Sequence, residues 1–190
     1  IERASVLAVG PGLGVRGWGH ALWDRAVHGG KPMVLDADGL NLLASHASSD
    51  MQISVSTPHP GEAARLLGCD GVEIQKDRFA SVRRLAEKFD CVAVLKGAGT
   101  LVADPRGQVA LCPFGNPGMA SAGMGDLLTG VIAGLLAQGM SPWDSACLGV
   151  LAHAVSGDRA AQGRPRGLLA SDLLLPLRDC VNGAVACAHE

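Results

Sequence analysis

The chain has 190 residues, a formal net charge of −2 and a hydrophobic content of 48%, which suit one globular domain with a sizeable core. Acidic and basic residues are interspersed, and three Trp, three Phe and no Tyr occur, so neither the basic surface nor the stacking aromatic residues of a nucleic-acid-binding protein are expected. No apolar run reaches membrane-spanning length, which argues against a membrane partner.

The six cysteines form no Cys-x-x-Cys pair, and their neighbours do not suggest a metal cluster. Most lie in apolar segments, so we interpret them as small buried hydrophobic residues of a protein from the reducing cytoplasm. They are Cys69, Cys91, Cys112, Cys147, Cys180 and Cys187. The chain opens with Ile1 and has neither an initiator Met nor a signal peptide, so we expect a fragment or a processed protein.

Apolar runs bounded by turn residues alternate with segments of helical spacing along most of the chain. The predicted strands are 5–9, 32–36, 53–57 and 91–95, followed by a β-hairpin of 100–103 and 108–111. The predicted helices are 17–27, 39–46, 62–67, 72–89, 125–138, 143–162 and 171–185. This alternation predicts an α/β fold in one domain, 1–190, with a mostly parallel sheet covered by helices on both faces. The C-terminal helices would cover one face.

A glycine turn follows the first predicted strand, and it contains Gly12 and Gly14. It can offer its backbone to a ligand or be a plain tight turn, and the Gly-x-Gly-x-x-Gly spacing of dinucleotide-binding folds is not met. Asp36 ends the second predicted strand and Asp38 follows it. They can hold Mg²⁺ or a ribose, or simply cap the next helix.

Two prolines stiffen the turn after the third strand, where His59 and Glu62 lie. Ligands bind at the carboxyl ends of strands in open α/β sheets, but a solvated turn with a glutamate at the helix start explains these residues as well. Lys96 ends the fourth strand and precedes two glycines, Gly97 and Gly99. This combination suits phosphate contact by a point charge and open backbone, whereas the alternative is an exposed approach to the hairpin.

The strongest pattern is the glycine-rich run 115–126, which leads directly into an apolar helix. The free N–H groups and the dipole of a helix start form an anion site, and Gly123 and Gly125 leave room for a phosphate. Asp126 is the carboxylate at the mouth of this site. We predict that it accepts the proton of an attacking hydroxyl, with helix capping as the alternative. His153 is interpreted as a satisfied core histidine outside the site.

Together these motifs resemble the ADP-dependent NAD(P)H-hydrate dehydratase family, a branch of the ribokinase-like superfamily. The matching stretches occur in the family's order and span nearly the whole chain. They are AVGPGLG (8–14), VLDADGLNLL (34–43), TPHPGEAARLLG (57–68), VLKGAGTLVAD (94–104), GNPGMASAGMGDLLTGVIAGLLAQG (115–139) and ASDLL (170–174). The stretch GNPGMASAGMGD is the most specific of them.

The resemblance implies a ribokinase-like fold and a repair reaction. NADH and NADPH become hydrated at the nicotinamide ring to a 6-hydroxy form. The family phosphorylates this hydroxyl from ADP, and phosphate then leaves, giving AMP and the restored dinucleotide. The resemblance also implies Mg²⁺ as cofactor, ADP or ATP as phosphoryl donor, a homo-oligomer, and an NAD(P)H-hydrate epimerase that is fused to the dehydratase or works with it.

The resemblance further assigns site residues. Asp126 would be the base on the hydrate, which would also be contacted by Gly12, Gly14, His59 and Glu62. Glu62 falls where ribokinase-like kinases keep a glutamate linked to Mg²⁺ and phosphate. Two segments would hold the nucleotide. They are Lys96, Gly97, Ala98, Gly99 and Thr100, and then Asn116, Pro117, Gly118, Met119, Ala120, Ser121, Ala122, Gly123, Met124 and Gly125.

Two alternatives remain open at this point. The glycine run and Asp126 would equally serve a ribokinase-like kinase of a small alcohol, such as a vitamin precursor. A non-catalytic nucleotide-binding module is the other. Family members usually carry a further N-terminal section before AVGPGLG, so we expect the chain to be incomplete relative to the family. We expect 5–9 to be an interior strand that this section or a second subunit covers.

Overall fold

The computed structural model describes residues 1–45 and 51–182. The strands are β1 Leu7–Val9, β2 Met33–Leu35, β3 Ile53–Ser56, β4 Val92–Leu95, β5 Thr100–Ala103 and β6 Val109–Cys112. The helices are α1 Trp18–Val27, α2 Ala37–Ser45, α3 Pro60–Leu67, α4 Gly71–Lys76, α5 Arg78–Phe89, α6 Met124–Ala137, α7 Pro142–Ala161 and α8 Leu174–Val181. Single 3-10 turns occupy Pro117–Met119 and Ala170–Leu173.

The six strands form one sheet in the order β1-β2-β3-β4-β5-β6. Strands β1 to β4 are parallel, while β5 and β6 run antiparallel to their neighbours. Helices connect the parallel strands, so the carboxyl ends of β1 to β4 meet at one edge of the sheet, where open α/β sheets bind their ligands. The mostly parallel sheet is therefore confirmed.

Alternate residues of the buried strands face two separate cores, as the two-residue period of a strand requires. In β2, Met33 and Leu35 pack with helices α1, α2, α3 and α5 on one face. Val34, between them, packs on the other face with Leu128 of α6 and Val150 of α7. Each face is therefore covered by helices, and the C-terminal helices α6 and α7 cover one of them, as predicted.

The predicted helix 72–89 is wrong in one respect, because the structure breaks it into α4 and α5. The backbone leaves the helical region at Asp77, whose carboxylate accepts a hydrogen bond from the Ala80 N–H at 2.9 Å. An aspartate side chain that binds the backbone in this way competes with the helical hydrogen bonds and starts a new helix.

Strand β1 is apolar, and its cover by a further section or a second subunit stays a prediction. It lies at the end of the sheet, and among the described strands it pairs with β2 alone. Leu7 and Val9 are half-buried and Ala8 is exposed, so the apolar sequence of β1 is only partly covered by the described residues.

The predicted ends of two helices, His46 and Val185, lie outside the described residues, as does Cys187. Across 1–45 and 51–182, no helix combines the length and the apolar character that crossing a membrane requires.

Candidate active site

A buried ion pair marks the ligand-binding edge of the sheet. Lys96, at the end of β4, places its Nζ 2.5 Å from Oδ1 of Asp36, which follows β2. The other carboxylate oxygen of Asp36 accepts a hydrogen bond from the Thr129 hydroxyl of α6 at 2.9 Å. Glu62 lies 3.8 Å from the same Nζ atom. The network therefore joins two strands, the start of α3 and helix α6 at one point.

The start of helix α6 touches this network. Gly123 is the N-cap residue in a left-handed conformation, with φ of 84°, and it has no side chain that could occupy the first-turn N–H groups. A Cβ added at Gly125 would lie 3.3 Å from Lys96 Nζ and 3.4 Å from Asp36 Oδ2. Backbone donors, a helix dipole and an ammonium therefore converge, which is the chemistry of an anion site. Asp126, in the same first turn, is exposed.

The turn before α3 is held by a reciprocal cap. His59 Nδ1 accepts hydrogen bonds from the N–H groups of Gly61 and Glu62, at 2.9 and 3.4 Å. The Glu62 carboxylate in return accepts from the His59 N–H at 2.7 Å. Glu62 is buried while the His59 side chain is half exposed. His59 and Glu62 therefore cap the start of helix α3, which is one of the two interpretations that the sequence left open. The same turn places Glu62 close to Lys96.

The glycine turn after β1 packs directly on the segment after β2. A Cβ at Gly10 would fall 1.7 Å from the carbonyl oxygen of Asp36, so only glycine fits there. The Gly14 N–H donates to the Asp38 carboxylate at 2.9 Å. Asp38 therefore holds this turn, whereas a Cβ at Gly12 would meet no described atom within 4 Å. That open side is where a ligand could approach the backbone.

A cavity of about 500 Å³ adjoins the start of α6, a volume in the range of small-ligand sites. Eleven predicted nucleotide-binding residues line it: Lys96, Gly97, Ala98, Gly99, Thr100, Asn116, Pro117, Met119, Ala120, Met124 and Gly125. Phe114, Leu128, Val150 and Ala154 add apolar wall. The cavity thus has an ionic end beside Lys96 and a largely apolar remainder.

The other predicted residues do not line this cavity. They are Gly12, Gly14, His59, Glu62, Gly118, Ser121, Ala122, Gly123 and Asp126. Two of them, Gly118 and Ser121, instead hold the glycine-rich loop before α6 against the segment 165–168. A Cβ at Gly118 would fall 2.1 Å from the Pro165 carbonyl oxygen, and the Ser121 hydroxyl donates to the Leu168 carbonyl at 3.0 Å.

Asn116 has a structural partner on helix α7. Its side-chain amide donates to Asp158 at 3.0 Å, and the second oxygen of Asp158 accepts from the Gly115 N–H at 2.9 Å. The Asn116 side chain also accepts from the Gly118 N–H at 3.0 Å. Asp158 therefore anchors the beginning of the glycine-rich loop, a role that the sequence did not indicate.

Arg78 is a second residue that sequence reasoning missed. From the start of α5 its guanidinium donates to the carbonyl oxygens of Leu95 and Gly99, at 3.2 and 3.1 Å. Burial lowers the pKa of this guanidinium from its usual value, although arginine stays charged in proteins. Arg78 thus holds the loop between β4 and β5 in shape. No local pattern signals this, because the partners are 17 and 21 residues away.

The interpretation of His153 as a satisfied core histidine is wrong. Its ring lines the cavity and is 8% exposed, yet Nε2 has no hydrogen-bond partner among the described residues. Burial, followed by the charge of Lys96, lowers the pKa of His153 to about 4 against the opposing effect of a hydrogen bond to the Met124 backbone. A histidine inside the apolar run of α7 was a signal in the sequence that we assigned to the core.

The site has few carboxylates for a metal ion. Within 1–45 and 51–182, no three His, Cys, Asp or Glu side chains form a metal-binding group. Asp36 is held by Lys96 and Thr129, and Glu62 by the turn before α3. This donor set does not suit a resident metal, but it suits Mg²⁺ that arrives on nucleotide phosphates, because that ion takes one or two carboxylates and keeps several waters.

Comparisons with known proteins agree with this geometry. The sequence profile of a family described as NAD(P)H-hydrate dehydratase matches residues 1–177. A bifunctional NAD(P)H-hydrate repair enzyme of Coxiella burnetii is 49% identical over 183 residues, covering 96% of this chain and 37% of that protein. An ADP-dependent (S)-NAD(P)H-hydrate dehydratase of Neisseria meningitidis serogroup B is 40% identical, covering 90% of this chain and 60% of that protein.

Solved structures agree as well. The ADP/ATP-dependent NAD(P)H-hydrate dehydratase of Bacillus subtilis, co-crystallised with ATP and Mg²⁺, superposes with a TM-score of 0.83 at 31% identity, over 94% of this chain and 64% of that one. A ribokinase-like superfamily protein of Enterococcus faecalis gives 0.82 at 27%, over 95% of this chain and 64% of that one. The predicted ribokinase-like fold is confirmed. The chain spans less than two thirds of each of these four proteins.

Proposed function

We propose that this chain, which belongs to the NAD(P)H-hydrate dehydratase family, restores hydrated NADH and NADPH with ADP as the phosphoryl donor. The observation that carries the proposal is the position of Gly125. Its backbone lies against Lys96 and Asp36, at the start of α6 and in the wall of the cavity. A nucleotide in the cavity would direct its phosphates to this point, where backbone N–H groups and an ammonium can bind them.

The proposed reaction has two steps. In the first, Asp126 accepts the proton of the 6-hydroxyl while the hydroxyl oxygen attacks the β-phosphorus of ADP, and the bond to the bridging oxygen breaks to release AMP. In the second, the lone pair of the ring nitrogen expels phosphate from C6, and loss of a proton from the neighbouring ring carbon restores the double bond. Phosphorylation is needed because hydroxide leaves poorly and phosphate leaves well.

The proposed roles of the protein residues are binding, orientation and one proton transfer. The segments 96–100 and 116–125 hold the nucleotide, and Gly12, Gly14, His59 and Glu62 hold the hydrate at the adjoining edge of the sheet. Mg²⁺ bound to the phosphates would neutralise part of their charge, with Glu62 as the carboxylate that would hold it. The B. subtilis structure with ATP and Mg²⁺ supports both the donor class and the ion.

Two further expectations belong to this proposal. The C. burnetii relative is named bifunctional, which supports a role beside an NAD(P)H-hydrate epimerase. The five described cysteines are free thiols, and two of them, Cys91 and Cys180, are buried. Free thiols support a reducing compartment such as the cytoplasm.

The proposal is tested by incubating the chain with hydrated NADH, ADP and Mg²⁺. We expect the absorbance of reduced nicotinamide to recover while AMP and inorganic phosphate appear in equal amounts by phosphorus NMR. Accumulation of a phosphorylated alcohol without this recovery would instead identify a kinase. ADP binding without any turnover would identify a nucleotide-binding module, and either result contradicts the proposed activity.

A further inference from the structure

Two neighbouring residues of α7, Gly157 and Asp158, attach the first part of the glycine-rich loop to that helix. Neither of them lines the cavity, whereas the three loop residues that they contact all do. Those residues are Gly115, Asn116 and Met119. The two α7 residues therefore hold part of the cavity wall without lining the space that a nucleotide would occupy.

Asp158 makes the first attachment through both of its carboxylate oxygens. One oxygen accepts a hydrogen bond from the Gly115 N–H at 2.9 Å, and the other accepts from the side-chain amide of Asn116 at 3.0 Å. Because both partners are donors, both atoms opposite them must be acceptors, and a carboxylate offers two. The Asn116 amide is thereby oriented, and its own oxygen accepts from the Gly118 N–H at 3.0 Å.

Gly157 makes the second attachment because it has no side chain. A Cβ at this position would lie within 3.0 Å of the Cγ, Sδ and Cε atoms of Met119, so the methionine side chain rests on the backbone of α7. A Cβ at Gly115 would lie 3.4 Å from the same Sδ atom. The Met119 side chain therefore packs against two glycines, and a larger residue at 157 would displace it.

We propose that Gly157 and Asp158 are positioning residues for the nucleotide, which hold 115–119 in the binding position before the nucleotide arrives. A wall that is already ordered does not have to be ordered on binding, so the free energy of ordering it is not subtracted from the affinity. The inference rests on the proposed function for the identity of the ligand. It makes ADP affinity depend on two residues that the nucleotide does not touch.

The first test is ADP affinity, measured by calorimetry. Asp158→Asn keeps the size of the side chain but sets an NH2 group against one of two donors, so we expect ADP to bind on the order of tenfold more weakly. The exchange variant, Asp158→Asn with Asn116→Asp, restores the match of donors and acceptors at unchanged net charge, so part of the affinity should return. Asp179→Asn changes an exposed residue of α8 and should bind ADP as the wild type does.

The contact of Gly157 gives a second test that does not depend on hydrogen bonds. Gly157→Ala should displace the Met119 side chain and weaken ADP binding by about fivefold or more. Adding Met119→Ala removes the clash, so part of the affinity should return. Gly134→Ala in α6 is the matched control, because a Cβ there meets no described atom within 4 Å, and it should bind ADP normally.

Hydrogen exchange in the wild-type chain tests the claim of order before binding, and it needs no variant. The Gly115 and Gly118 amides should exchange slowly in the absence of nucleotide, because each donates to a side chain in the free chain. Rapid exchange of both amides that only ADP slows would show that the nucleotide orders the loop, and it would overturn the proposal.

Two further results would overturn the proposal. One is ADP affinity at the wild-type level in both Asp158→Asn and Gly157→Ala. The other is a fall in the KM for hydrate as large as the rise in the KM for ADP, or an equal rise of both, since positioning of the nucleotide wall should leave the KM for hydrate within about twofold.

The outcome is separable from that of the proposed function. Calorimetry and hydrogen exchange measure binding and order without turnover, so a chain that binds ADP but repairs no hydrate would refute the proposed function and leave this result readable. A chain that binds no nucleotide would refute both.

Discussion

The Nζ atom of Lys96 lies 2.5 Å from Oδ1 of Asp36, and this ion pair links β4 to β2 across the intervening strand β3. Asp36 is 1% exposed, so its carboxylate depends on Lys96 and on the Thr129 hydroxyl for the interactions that water would otherwise provide. The pair also lies beside Gly125, where an added Cβ would be 3.3 Å from Lys96 Nζ and 3.4 Å from Asp36 Oδ2. We therefore expect a change at this pair to affect both the stability of the chain and the proposed ligand site at the start of α6.

The ion pair gives the first prediction. Asp36→Asn should reduce the free energy of unfolding by about 3 kcal/mol, because it removes the closer carboxylate of the Lys96 ammonium and leaves only Glu62, 3.8 Å away. Urea denaturation measures this change. The matched comparison is the double variant Asp36→Asn with Lys96→Met, in which the poorly paired ammonium is absent and part of the loss should be recovered. A single variant as stable as the wild type would contradict the structural role of the pair.

The second prediction concerns Asp126. Asp126→Asn should lower turnover by about 10²–10⁴-fold or more, because the amide keeps the size of the side chain but cannot accept the proton. ADP affinity, measured by calorimetry, should stay within about threefold, since the carboxylate is not required for phosphate binding. Asp144, in the first turn of α7, is the matched control, and Asp144→Asn should leave turnover unchanged. Near-native turnover in the Asp126 variant would remove it as the base.

Two glycines of helix α6 test the anion site. Gly125→Val should abolish ADP binding, because even its Cβ would lie 3.3 Å from Lys96 Nζ and the branched side chain would fill the space of the phosphate. At Gly130 a Cβ meets no described atom within 4 Å. Gly130→Ala should therefore bind ADP normally and gain about 0.5–1 kcal/mol of stability from helix propensity. Normal ADP affinity in a folded Gly125→Val variant would argue against a phosphate at this turn.

Arg78 should matter for nucleotide affinity although it does not line the cavity. Arg78→Ala removes the donors that hold the carbonyls of Leu95 and Gly99, so the loop 96–100 should loosen and ADP should bind roughly tenfold more weakly. Arg84, one turn and a half further along α5, forms an exposed ion pair with Glu73 and provides the control. Arg84→Ala should cost less than about 1 kcal/mol and leave affinity unchanged. Equal affinities in the two variants would show that Arg78 does not shape the loop.

The lowered pKa of His153 predicts a pH dependence of stability. Between about 4, the pKa in the folded chain, and 6.5, the usual histidine pKa, an unfolded chain binds a proton that the folded chain does not. His153 should therefore reduce stability as the pH falls through this range, by up to about 1.4 kcal/mol per pH unit, and have no effect above it. Urea unfolding from pH 7 to pH 4.5 measures the slope, which should be smaller in His153→Asn. Identical slopes would mean that His153 takes up its proton at the same pH in the folded and the unfolded chain.

The sequence by itself determined the features that depend on neighbouring residues. The strand β2 was identified from a short apolar run bounded by turn residues, and the helical segments 17–27 and 72–89 from apolar residues that recur at helical spacing. The glycine-rich run 115–126 could be identified as the start of a helix because glycine conformation and helix capping depend on residues that are neighbours in the sequence. The break at Asp77 was local too, and the capping pattern of an aspartate three residues before Ala80 could have revealed it.

Only the tertiary structure decided which distant residues meet. Asp36 and Lys96 are 60 residues apart, and Asn116 and Asp158 are 42 apart. Their contacts depend on strand order and on how α7 packs over the sheet, and no one-dimensional period encodes either. The same is true of His153, because whether a histidine in an apolar helix is paired or faces a cavity depends on what stands opposite it. For this protein, neighbouring residues specified the glycine-rich run 115–126, whereas long-range packing specified the Asp36–Lys96 ion pair beside Gly125 and the place of His153 in the cavity wall.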